Sequence, residues 1–171
     1  MKSKNDPIAK LFLQDARKQL ERYRRNIVRC LSLLTEEEIW WRPNAASNSA
    51  GNLVLHLSGN MRQWIISGLG GAPDVRVRDK EFSEYGPIPR RVLVARLRAT
   101  VAEARRVLHR LSAEALRRKY TIQGHRVTGL VAAAHVYEHF SHHAGQIIYI
   151  TKLKRGKKLR FTRLPKIKKT K

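Results

Sequence analysis

The sequence predicts an all-α protein of one domain, a four-helix bundle, on three observations. Four long stretches carry apolar residues at helical spacing, and each opens and closes on recognisable caps and breakers. Very little of the chain alternates apolar and polar residues as a half-buried strand does. The connections between the four stretches are short or medium, which favours helices packed side by side. With 171 residues the chain is long enough to bury a substantial core.

The first helix is expected from about Asp6 to Leu34. Asp6 supplies the N-cap, and Pro7 occupies the first helical position, where a missing N–H is no loss. Ile8, Leu11, Leu13, Leu20, Tyr23, Ile27, Leu31 and Leu34 then recur at mostly helical intervals. Thr35 and Glu38 form a capping-box pattern that opens one short turn, Ile39-Trp40-Trp41, stopped by Pro43. Small polar residues from Asn44 to Ser49 deliver the chain to a second helix, about Ala50 to Leu69, which ends at Gly70-Gly71.

The stretch to about Pro87 carries proline, glycine and mixed charge and reads as an ordered loop. A third helix over about Ile88–Leu111 turns Val92, Leu93, Leu97, Val101, Ala104 and Leu108 inward. Ser112 and Glu114 cap a further short turn before an irregular link from Tyr120 to Val127. The fourth helix spans about Thr128 to Arg155 and is closed by Gly156. Residues 1–156 make the domain, and 157–171 form a basic tail expected to be partly disordered.

Composition bounds the function. No apolar run approaches the roughly 20 residues that span a bilayer, and the opening MKSKNDPIAK is unlike a signal peptide, so a cytoplasmic protein is expected. The single cysteine, Cys30, rules out an internal disulfide framework and reads as a helix-face residue rather than a reactive thiol. Lysines and arginines number 36 against 13 acids, a formal charge of +23, and the last 21 residues contain eleven bases and no acid. Such a chain attracts polyanions non-specifically at low salt.

The chemistry is concentrated in histidine. Four of the seven fall within nine residues: His135, His139, His142 and His143. On a helix, His135, His139 and His143 share one face, while His142 is rotated about 100° away. His135 and His143 lie about 12 Å apart along the axis, too far to share an ion, so the ligand pair is His135/His139 or His139/His143. A third ligand has to come from another helix. His109 follows an arginine-rich stretch and His125 lies in a link, whereas His56 sits within the apolar Leu53–Leu57 segment and faces the interior. A buried imidazole needs a partner, which either another side chain or a metal supplies.

His135-Val136-Tyr137-Glu138-His139 matches the inverted zincin protease pattern, but the further acidic ligand of such enzymes is missing, since no Asp or Glu follows Glu138. Glu138 is left as either a surface carboxylate or a hydrogen-bond partner to a ligand histidine. Three histidines form a neutral set that suits zinc, nickel, iron or manganese, with open positions for water or substrate. The chemistry natural to it is an acidified water or a substrate thiolate.

The stretch Asn48-Ser49-Ala50-Gly51-Asn52-Leu53-Val54-Leu55-His56-Leu57-Ser58-Gly59-Asn60 resembles the second-helix motif of the DinB/YfiT superfamily, in its DUF1572 branch. Arg78-Asp79-Lys80-Glu81-Phe82 is similar to that branch's loop, His135 through Ile147 to its fourth helix, and Trp40-Trp41-Arg42-Pro43 fits as well. The resemblance covers most of residues 10 to 160. It implies a four-helix bundle, frequently homodimeric, holding a divalent metal by one histidine of helix two and an H-x-x-x-H pair of helix four. By position these are His56, His139 and His143, with His135 a neighbour one turn away. Asn60, Trp64 and Gln146 share their phase and are pocket residues on the same reading.

Characterised relatives include transferases and isomerases that use low-molecular-weight thiols. The expected activity is therefore a metal-dependent transferase or hydrolase acting with a small thiol or other small organic substrate. The alternatives are a bundle that binds metal without catalysis and a basic, nucleic-acid-associated stress protein using the tail and helix three. The departure from the family pattern is charge, for relatives of this type are far less basic.

Overall fold

A computed structural model gives the structure of residues 6–156 and 159–161. In chain order they form α1 (Pro7–Leu33), α2 (Glu36–Trp40), α3 (Ala50–Met61), α4 (Arg78–Ser83), α5 (Arg90–Arg110), α6 (Ala113–Arg117), the strands β1 (Lys119–Ile122) and β2 (His125–Thr128), and α7 (Gly129–Arg155). The four long helices make the bundle. α1 packs against α5 and α7, and α3 packs against the same two, so α1 and α3 occupy opposite corners. The tail predicted from residue 157 lies outside the described residues except for 159–161. There Arg29 donates a hydrogen bond to the Arg160 carbonyl at 2.8 Å and lies over the Phe161 ring.

Periodicity explains the core. Leu93, Leu97, Val101, Ala104 and Leu108 recur every three or four residues along α5 and are buried together with Leu13, Leu20, Ile27 and Leu31 of α1. Phe140, Ala144 and Ile147 of α7 and Leu53, Leu57 and Met61 of α3 complete it. Cys30 is fully buried, and burial pushes its thiol up, which keeps it in the inert protonated form. Three residues read as inward are not: Ile8 is 76% exposed, Leu11 64% and Val92 40%. Ile8 and Leu11 are out of phase with the buried stripe of α1, which Ala9, Leu13 and Ala16 begin, and Val92 lies one position off the stripe of α5.

Helix termini follow the local chemistry. Asp6 accepts from the Ile8 and Ala9 amides, Pro7 opens α1, and Gly156 ends α7 with φ 61°. Thr35 closes a full capping box, accepting from the Glu38 amide at 3.1 Å while its own amide donates to Glu38 Oε2 at 2.8 Å. Thr35→Ala is expected to lower stability by about 1 kcal/mol, a fall of roughly 2–4 °C in the melting temperature of a domain this size. A thermal melt without such a fall would show that Ile39, fully buried, holds α2 in place without the cap.

The second predicted helix, Ala50 to Leu69, is helical throughout, but from Arg62 to Leu69 it widens into a π-helical segment. Two regions differ from expectation. The loop before α5 contains the short α4. The link from Tyr120 to Val127 is a β-hairpin, with Tyr120 paired to Val127 and Ile122 to His125. Its turn residues Gln123 and Gly124 both take left-handed backbone, φ 53° and 79°, the geometry that suits the twist of a two-residue hairpin loop. The hairpin docks where Gly68 makes room, since a Cβ there would lie 2.8 Å from Ile122 Cγ1. No helix among the described residues is long and apolar enough to cross a membrane.

Candidate metal centre

The seam between α3 and α7 brings His56, His139 and His143 together, and one ring nitrogen from each lies within 4.8 Å of the others. His56 Nε2 is 3.0 Å from His139 Nε2, and His143 Nε2 is 3.1 Å from the same atom. Each outer ring is held from behind. His143 Nδ1–H donates to Gln146 Oε1 at 2.6 Å, and His56 Nδ1–H donates to Glu81 Oε2 at 2.9 Å. Amide oxygens and carboxylates only accept, so each of these rings carries a proton on Nδ1, and the neutral tautomer directs its Nε2 lone pair inward. His139 Nδ1 is buried and has no partner among the described residues.

The environment favours the neutral forms of His139, His143 and His135. Burial, then the neighbouring His143, His56, His135 and Arg76, pushes His139 down to about 3. Burial also lowers His143, against a hydrogen bond with Gln146 that opposes it. His135 is lowered chiefly by burial too.

The carboxylate behind His56 arrives from the loop before α5. Ser49 and Asn52 form the capping box that opens α3, and Asn52 Nδ2 donates to the carbonyls of Glu81 at 2.9 Å and Glu84 at 2.7 Å. Arg42 Nη2 donates to Asn52 Oδ1 and to the carbonyls of Phe82 and Glu84. These bonds fasten α4 to the start of α3 and set the Glu81 carboxylate against His56. Arg76 clamps it from the other side, Nε to Oε1 and Nη2 to Oε2, both at 2.8 Å. Burial raises the Glu81 carboxyl, but the hydrogen bonds and charges of Arg76 and His56 outweigh it and hold it below the usual range.

His135 stands one turn from His139, its ring 5.5 Å away, and its Nε2 accepts from Asn60 Nδ2 at 3.4 Å. Trp64, in the π-helical segment, packs 4.2 Å from the His135 ring and donates from Nε1 to Gln123 Oε1 at 3.2 Å. His142 is exposed beside Gln146, and His109 lies remote, against Arg17. Glu138 is exposed and bonds to no histidine among the described residues, so the carboxylate that meets a ring of the triad is Glu81 instead. Glu81, Arg76, Phe82 (its ring 4.7 Å from His56) and the hairpin residue Gln123 were not singled out from the sequence. The one pointer to Glu81 and Phe82 was the resemblance of the Arg78–Phe82 stretch, which carried no role for either.

Comparison with known proteins places this geometry in context. A family model described as "Protein of unknown function (DUF1572)" matches residues 7–168. No curated protein matches the chain. Among solved structures, the chain is similar to a conserved protein from Enterococcus faecalis, at 19% identity and a TM-score of 0.73, covering 84% of this chain and 97% of that one. It is also similar to a DinB-like protein from Bacillus subtilis, YjoA, at 18% identity and a TM-score of 0.63, with 88% and 95% covered. A DinB-like protein from Bacillus cereus aligns at 16% identity and a TM-score of 0.62, with 84% and 90% covered. These likenesses establish the fold.

Proposed function

The chain belongs to the DUF1572 family, and from that premise we propose that it is a divalent-metal-dependent transferase or hydrolase acting with a small thiol or another small organic substrate. The observation that carries the proposal is the convergence of three Nε2 atoms with contacts of 3.0 and 3.1 Å. Two imidazoles bound at about 2.0–2.1 Å, at angles between 90° and tetrahedral, put their nitrogens roughly 2.9–3.4 Å apart. The two contacts to His139 Nε2 therefore suit a shared metal. So does the tautomer pattern, for at most one proton can lie among three nitrogens whose lone pairs otherwise oppose one another.

His56, His139 and His143 would hold the ion, whether zinc, nickel, iron or manganese. Such an ion supplies Lewis acidity, drawing the proton from a water or thiol near neutral pH. Glu81 orients His56 and fixes its tautomer, and Gln146 does the same for His143. Arg76 cancels the charge of Glu81, so the histidines present the ion with no net negative charge and its full charge acts on the substrate. Asn60, Trp64 and His135 border the triad on the side toward the hairpin and would shape the substrate recess. A homodimer belongs to the same reading and rests on the resemblance alone, while a cytoplasmic location rests on composition.

The test is a titration of metal-free protein with cobalt(II), followed by a panel of small thiols and electrophiles. One equivalent is expected to bind, thiols are expected to alter the cobalt absorption, and an electrophile is expected to be consumed. Binding of the metal with no response to thiols, other small nucleophiles or electrophiles would leave a bundle that holds metal without catalysis.

A further inference from the structure

Helix α5 carries seven arginines and no lysine, against a single acid, Glu103. Its stripe Leu93, Leu97, Val101, Ala104 and Leu108 is buried, so the opposite side faces solvent. At about 100° per residue, Arg91, Arg98, Arg105, Arg106, His109 and Arg110 fall within an arc of roughly 140°. All six are exposed, and the exposed residues between them are the alanines Ala95, Ala99 and Ala102, with Val92 at the edge of the arc in line with Arg110. Glu103 sits at the edge of this face and turns to Arg62, 3.6 Å away. Among the described residues, only Arg105 of the face has an acid partner, Glu21 at 3.5 Å. With a rise of about 1.5 Å per residue, Arg91, Arg98 and Arg105 follow one another at about 10 Å, and the face is almost 30 Å long.

We propose that this face of α5 docks the phosphate backbone of double-stranded nucleic acid without reading its sequence. Guanidinium groups donate two parallel hydrogen bonds to a phosphate, which a lysine does not, and the low alanines between them let a backbone approach the helix closely. Both flanks of α5 are covered, by α1 and α3, so the helix presents a shallow side and cannot enter a groove to read base edges. The helix has no Phe, Tyr or Trp on which an unpaired base would stack, and its one imidazole, His109, is engaged by Arg17 at 2.8 Å, which favours a duplex over a single strand. Its one large exposed apolar residue is Val92, too little for insertion into a lipid surface.

A chain of charge +23 attracts any polyanion, so the test has to ask where the charge sits. The full-length protein is titrated into labelled duplexes of about 20 base pairs and unrelated sequence, at several salt concentrations. One variant removes Arg91, Arg98 and Arg106 (each to Gln), and a second removes Lys119, Arg126 and Lys152, three exposed cations on other surfaces. The first is expected to bind more than about tenfold more weakly near 0.1 M salt and to lose about 2–3 units of salt slope, at roughly 0.9 per phosphate. The second is expected to change affinity less than threefold, and both to keep the wild-type circular dichroism. Equal losses in the two variants would overturn the proposal, as would tighter binding to single strands or to anionic vesicles than to the duplex.

Discussion

Replacing His139 with leucine is expected to leave the metal-free protein at least as stable as it is, while abolishing its stabilisation by divalent metal. The metal-free cluster is a liability. His139 Nδ1 is buried without a partner among the described residues, and an orphaned polar group of this kind costs about 1–3 kcal/mol. Its Nε2 faces two more nitrogens at 3.0 and 3.1 Å, so at most one of these contacts is a hydrogen bond. Leucine fills similar volume and removes both problems. With metal present the order reverses. An ion at about 100 times its dissociation constant stabilises the native wild type by about 2.7 kcal/mol, or roughly 5–11 °C for a domain of 150–250 residues. A two-histidine remnant that binds at least about 100-fold more weakly gains no more than about 0.4 kcal/mol from the same solution. Equal rises in melting temperature for the two proteins would sink the metal centre.

The same pair of proteins reports on acid. In the metal-free native state His139 is pushed down to about 3 from an ordinary value of 6.5. Between these limits the unfolded chain binds a proton that the native ring refuses, so this group's contribution to stability falls as pH drops. The wild type is therefore expected to lose stability faster than the leucine variant on acidification from pH 6.5. Parallel pH profiles would mean that native His139 protonates at an ordinary pH.

How much of this was legible in the sequence depends on how local the signal is. The four long helices and the caps at Asp6, Thr35 and Ser112 are local, and the structure contains them. His56 was singled out from an apolar run and the α7 histidines from their spacing, because helical phase is a local property. Spacing alone left His135 and His143 as rivals for the second place on α7. What separates them in the structure is the approach of α3: His56 meets His139 Nε2, whereas His135 is turned to Asn60 and Trp64. That is tertiary information. The hairpin was missed because Gln123 stands where Asn or Asp usually precedes the turn glycine, although Tyr120, Ile122 and Val127 carry strand preference. Glu81 was missed for a deeper reason. It is 25 residues from His56, in a stretch of mixed charge, and it reaches the site through Asn52 and Arg42 hydrogen-bonding to loop carbonyls. No periodicity announces such a contact.

Adding a single methyl group at Gly59 is expected to weaken metal binding by about 10–100-fold, the range for loss of a residue that orients a ligand, although Gly59 touches no ligand nitrogen. A Cβ built there falls well inside contact with Glu81 Oε1, 2.8 Å from Glu81 Cδ and 3.0 Å from Arg76 Nε. The glycine is required because the ion pair lies flat against α3 at this point. The carboxylate is the end of a flexible side chain, but Arg76 grips both its oxygens, and the two side chains are 3% and 10% exposed. In Gly59→Ala the carboxylate has to swing toward the cleft of about 560 Å³ that Ser58, Lys80, Arg96 and Thr100 line. His56 then loses the acceptor that fixes its Nδ1 proton, and Arg76 is left as a buried charge without its partner. Breaking such a pair costs about 3–5 kcal/mol when nothing relaxes, and the nearby cleft lets Arg76 recover part of that by reaching water. Glu81→Gln separates the two effects. It keeps an acceptor oxygen for His56 but loses the charge and the oxygen that accepts from Arg76 Nε, so it is expected to lose less metal affinity than Gly59→Ala. Isothermal titration with zinc, on variants shown to be folded by circular dichroism, reads the difference. Wild-type affinity in folded Gly59→Ala would mean that His56 holds its orientation without Glu81, and that the ion pair serves the fold rather than the metal centre.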